Sequence, residues 1–139
     1  MALSADTPRV YAVGEIESYP VAASVTIYEG SAIGENGSGY ARPLTAADPF
    51  LGFAVRGVSG ESAAGTNRVE VKTRGRIQLS ISALAVTAND RPAVYASDDG
   101  TFTLTASSNS LIGYVSRWVS TGVAIVEFDA ALVKAALQA

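Results

Sequence analysis

The sequence predicts an all-β protein, and three observations carry that prediction. Short β-branched runs recur between Gly, Asn and Asp turns along most of the chain. Residues 68–81 alternate strictly: Val69, Val71, Thr73, Ile77, Leu79 and Ile81 fall on one face, and Arg68, Glu70, Lys72, Arg74, Arg76, Gln78 and Ser80 on the other. That is the period of one long half-buried strand, or of two strands bent at Gly75. Finally, one strand-and-turn unit occurs twice. About nine short strands with such spacing argue for a sandwich or a barrel.

The elements follow in chain order. Residues 1–20 have no clear period; Pro8 and Pro20 bracket them, and Tyr11, Val13 and Ile16 are scattered among Asp6, Glu15 and Glu17. They read as an extended arm with a short strand over 9–13. Beyond Pro20 the punctuation becomes regular. VTIY at 25–28 is a short strand, and GENGSG at 34–39 contains Asn36-Gly37, a strong hairpin signal. FLGFAV at 50–55 follows Asp48-Pro49 and reads as a strand, and 59–67 is a loop of small residues. Turns at 89–92 and 98–100 separate strands expected at 93–96, 101–105, 111–119 and 123–128. Only the tail reads as helix, with Asp129 as its cap and Leu132, Ala136 and Leu137 on one face. So short a helix does not hold in water alone, so it must dock on its own chain or on a neighbour. The expected organisation is an arm over 1–20, a β domain over 21–128 and a helical tail over 129–139.

The duplication is the sharpest internal signal. FLGFAVRGVS at 50–59 aligns with LIGYVSRWVS at 111–120, with Gly, Arg, Val and Ser identical. LTA precedes each copy, at 44–46 and 104–106, and each copy is followed by a Val-Glu pair, at 69–70 and 126–127. The repeats span about 24–71 and 92–128, and two such units can close around one core. Gly52 and Gly113 occupy the same place, where a mid-strand glycine marks a bulge or a close backbone approach. Arg56 and Arg117 also correspond and read as rim arginines. The copies differ in two ways: 60–67 is long where 121–122 is a two-residue turn, and Trp118 stands where the first copy has Gly57.

Composition narrows the function. The 139 residues are 48% hydrophobic and 17% charged, a globular balance. Cysteine and histidine are both absent, which removes disulfides, thiolate chemistry and the commonest general base and metal ligand. A Ser-Lys dyad has only Lys72 and Lys134 to draw on, one on a solvent face and one in the tail. The glycine cluster at 34–39 lacks the Lys-Ser/Thr of a phosphate loop, and Asp98-Asp99-Gly100 lacks calcium-loop spacing. The expectation is a non-enzyme with no metal and no cofactor. A net charge of −3 argues against nucleic acid as the main partner. The start lacks a basic n-region, and no apolar run reaches membrane-helix length, so neither a signal peptide nor a membrane anchor is expected.

Two further features bear on partners. Arg68, Lys72, Arg74 and Arg76 line one strand face. They read as a solvated face, as a weak nucleic-acid stripe without interleaved aromatics, or as a dock for an acidic surface such as a neighbour's Asp6, Glu15 and Glu17. Trp118 is the single tryptophan and fits an interface anchor or a core filler equally. The candidate interface set is Tyr11, Val13, Ile16, Arg74, Arg76, Trp118, Leu132 and Leu137.

TIYEG at 26–30, GYARPLT at 39–45 and LGF at 51–53 resemble the small head decoration (capsid cement) proteins of tailed phages. So does AVYASDDGTFTLT at 93–105 followed by LIG at 111–113. The resemblance covers roughly residues 20–128 and rests on short motifs of common β residues. It implies a compact β-barrel or β-tulip domain that sits as a trimer on the outer capsid surface, after synthesis in the host cytoplasm. It also implies the major capsid protein as partner and an N-terminal arm that reaches neighbouring subunits. The alternative is a fibre or tail module that binds host glycans. Against that alternative, Tyr11, Tyr19, Tyr28, Tyr40, Tyr95 and Tyr114 are dispersed along the chain.

Overall fold

In the computed structural model, residues 4–6 and 15–138 are described, and they form an all-β protein with one short C-terminal helix. The first half of the chain holds β1 (Ile16–Pro20), β2 (Thr26–Ile27), β3 (Ala32–Glu35), β4 (Ala41–Pro43), β5 (Phe50–Ala54), β6 (Val58–Ser59) and β7 (Arg68–Lys72). The second holds β8 (Arg74–Ser80), a 3₁₀ turn (Val86–Asp90), β9 (Ala93–Ala96), β10 (Phe102–Thr103), β11 (Ser110–Ser120), β12 (Val123–Asp129) and α1 (Ala130–Gln138). β2 and β6 pair as a small separate ribbon.

The strand orders reveal the duplication in full. One five-stranded sheet runs β1-β7-β5-β3-β4, and the other runs β8-β12-β11-β9-β10. Every strand of the first has its counterpart in the second, in the same place and in the same chain order. The correspondence reaches the irregularities. Pairing slips by one residue at Leu51, between β5 and β3, and at the equivalent Ile112, between β11 and β9. The edge strands of each sheet also meet at one parallel bridge, Val21 with Ala41 in the first and Ile81 with Phe102 in the second.

This arrangement corrects several expectations. Residues 16–20, read as the end of the arm, form β1 and pair antiparallel with β7 from Ile16–Lys72 to Pro20–Arg68. The units therefore span 16–72 and 74–129, wider than 24–71 and 92–128. The alternating run 68–81 is two strands, the second of its two readings, but the break falls at Thr73 rather than Gly75: β7 closes the first unit and β8 opens the second, so one period runs through the boundary. In place of one barrel around one core there are two curled sheets and two clusters of buried side chains. The smaller cluster, including Val21, Ile33, Val69 and Val71, lies wholly within the first unit. The larger gathers the second unit's core with Phe50 and Phe53 of β5. There Phe53 packs on Phe102 and Phe128, with centroids 6.1 and 4.9 Å apart, and Phe50 packs on Phe53 and Phe128. The first unit buries one cluster by itself, and the aromatic cluster joins it to the second.

The two matched glycines are sites of close strand approach. A Cβ at Gly52 would lie 2.3 Å from the Lys72 carbonyl oxygen, and one at Gly113 would lie 2.1 Å from that of Glu127. Both contacts are to backbone, which cannot swing aside.

Candidate functional site

Where the two units meet, the chain passes through Thr73. Its N–H donates to the Glu15 carbonyl (2.8 Å), and its own carbonyl accepts from Ala130 N–H (2.9 Å). The start of β1, the junction between units and the start of α1 therefore come together at one place. α1 begins there because Asp129 caps it: Oδ1 accepts from Ala131 N–H (3.0 Å) and Leu132 N–H (3.2 Å), satisfying two of the free donors of the first turn. The helix docks on its own chain through Val133, which is 2% exposed, with Ala130 packed beside it. Leu132, placed on the docking face and in the interface set, is 65% exposed and does not dock on its own chain. Val133 is the buried anchor among the described side chains of the helix.

Two grooves flank this helix. One, of about 380 Å³, is lined by Lys72, Arg74, Arg76, Tyr114, Glu127 and Leu132, among others. The second, of about 550 Å³, lies on the other side and includes Glu17, Tyr19, Phe50, Leu51 and Lys134. Arg74 and Asp129 line both. Burial, and then the Glu17 charge, push the Tyr19 hydroxyl in that wall above its ordinary pKa.

The first groove unites three of the expected interface residues, Arg74, Arg76 and Leu132. Ile16 stands at its margin, since its neighbour Glu15 and its strand partner Lys72 both line it. Tyr114 was missed, although a signal was available. It is the counterpart of buried Phe53 in the repeat, and a hydroxyl at that position marks a side chain that meets water. It is 45% exposed. Trp118 lies elsewhere. Its ring packs against the larger core, its backbone N–H donates to Asn89 Oδ1 (2.7 Å), and its Nε1 is buried without a partner among the described residues. Tyr11 and Val13 fall outside the described residues, as do the strand expected over 9–13 and the side chain of Leu137.

The two arginines of the groove are paired within the chain. Arg74 reaches Glu15 at 3.9 Å, and Arg76 reaches Glu127 at 3.1 Å, with every partner more than half exposed. Glu15 thus meets Arg74 of its own chain. Exposed pairs of this kind contribute at most about 1 kcal/mol, so an incoming partner can exchange them at little cost. Arg68 is likewise engaged in cis, through Ser18 Oγ (2.9 Å) and Ser18 O (2.7 Å). Arg56 pairs weakly with Glu70 at 3.9 Å. The groove therefore offers apolar contact from Tyr114 and Leu132 within a rim of exchangeable ion pairs.

No protein-family model matches this chain, and no curated protein matches it either.

Proposed function

We propose that this chain is a structural virion protein that binds the outside of a phage capsid and cements neighbouring capsomers. The observation that carries the proposal is the groove at the unit junction, where exposed apolar side chains, exchangeable ion pairs and the entry of the N-terminal segment coincide. A cement protein needs a stiff body and a broad contact surface more than a deep pocket, and avidity on a lattice multiplies modest contacts. The duplicated β body and the shallow groove suit that demand. Under this reading the partner is the major capsid protein, the protein acts as a homotrimer, and it resides on the outer face of the virion.

The test is co-sedimentation with expanded capsids that lack the protein. Binding is expected, weakening as salt rises and falling further in the double variant Arg74→Glu, Arg76→Glu. Absence of binding by a stable monomer overturns the reading.

A further inference from the structure

The hairpin between β3 and β4 turns through Asn36 and Gly37, and its hydrogen bonds place two kinds of group around one amide. The Gly37 N–H donates to the Glu35 carboxylate, through Oε2. The Asn36 side-chain oxygen accepts from Ser38 N–H (2.8 Å) and Tyr40 N–H (3.2 Å). Both neighbours of that oxygen are donors, so the amide orientation is fixed: the carbonyl faces the turn and the NH₂ group faces away. Gly37 has φ +89°, and an added Cβ there would meet nothing within 4 Å.

We propose that this turn modifies itself, converting Asn36 to a mixture of aspartate and isoaspartate. The Gly37 nitrogen is the nucleophile and the Asn36 side-chain carbonyl carbon is the electrophile. The Glu35 carboxylate accepts the Gly37 proton as the new N–C bond forms, the role of a positioned general base. Charge that develops on the Asn36 oxygen is met by the Ser38 and Tyr40 N–H groups, which act as two oxyanion donors. The C–N bond to the side-chain amide then breaks, and that nitrogen leaves as ammonia with the transferred proton. The cyclic succinimide is opened by solvent water at either carbonyl. No electrons are exchanged with any other species. Glycine at position 37 leaves the attacking nitrogen unhindered and permits the backbone rotation that ring closure requires.

The product matters for the hairpin. It carries one more negative charge beside Glu35, and the isoaspartyl form adds a backbone carbon where Glu35 pairs with Ala41. The inference is independent of the capsid reading.

The experiment follows Asn36 by peptide mass mapping during incubation of the full chain at mildly alkaline pH, in buffer and in denaturing urea. Asn36 is expected to convert faster in the folded protein than in urea, and faster than Asn109, which precedes Ser110. Glu35→Gln is expected to slow the folded rate about tenfold, below the ~10²–10⁴ of a fully aligned base, and to leave the rate in urea unchanged. Equal rates folded and unfolded overturn the proposal, as does a folded rate unaffected by Glu35→Gln. If that variant misfolds, as judged by its unfolding midpoint, Glu35→Asp gives the same comparison with the carboxylate retained but withdrawn. An undiminished folded rate there overturns the role of Glu35.

Discussion

A carboxylate only 8% exposed is costly unless its charge is met, and Asp48 is met on three sides. Arg42 grips it through Nε (2.9 Å) and Nη2 (2.7 Å), and Thr45 N–H adds a third bond at 3.0 Å. The same contact holds the Arg42 guanidinium above its ordinary pKa, first by hydrogen bonding to Asp48. Gly34 is the fourth participant, because a Cβ there would sit 2.5 Å from Oδ2. Asp48→Ala is expected to destabilise the fold by about 2 kcal/mol, moderated by Arg42's partial access to water. The check is the urea midpoint at unchanged m-value. Asp98 behaves differently because it is exposed. The Gly100 N–H, and then Thr101, hold its carboxyl below the ordinary 3.8. A pKa lowered in the folded state means stability that is present above 3.8 and is lost as pH falls through the lower folded value. The stability difference between wild type and Asp98→Asn should therefore be flat at neutral pH and shrink in acid. A difference that stays constant down to about pH 2 contradicts this assignment.

Elements differed in how openly they were written. The Asp129 cap and the Gly52–Gly113 match were legible because each depends on a local residue type or on comparison within the chain. The break at Thr73 was not: two strands were one reading of the run, bent at Gly75, but an alternating pattern says which side chains are buried and not in which sheet. β1 was hidden for a related reason: Pro20 looked like the end of an arm, yet proline is tolerated at the end of an edge strand, where its missing donor is not needed. Of the groove, Arg74, Arg76 and Leu132 were nameable but their meeting was not, because it depends on how β1, β8 and α1 converge. The helix gives the element-scale prediction. Nine residues held by one cap and a buried Val133 should be the least protected structured segment. Asp129→Ala removes about 1 kcal/mol of capping, so amide exchange across 130–138 should accelerate about fivefold while β11 and β12 keep their protection. Equal acceleration in those strands would mean that the helix is integral to the β core.

At the scale of the molecule, the question is whether two complete five-stranded units behave as one folding body. Each has its own sheet, and among the described residues only the first has a cluster of buried side chains made wholly of its own residues. That asymmetry could allow the first unit to persist alone. The coupling argues otherwise. The larger core is built by both units, and Phe50 and Phe53 of the first fill space among Phe102 and Phe128 of the second. Thr73 alone separates β7 from β8, so β1, β7 and β8 cannot part without breaking the bonds at Thr73. Removing a buried phenylalanine from a core costs about 3–5 kcal/mol, a large share of a typical domain's stability. Phe53→Ala should therefore lower one shared transition rather than expose a second. Tryptophan fluorescence reports the second unit through Trp118, and amide exchange at Val69 and Val71 reports the first. Both should shift by the same free energy in the variant. If the first-unit amides kept wild-type protection while the Trp118 signal moved, the units would be independent domains, and the aromatic cluster would be a contact between them rather than their common core.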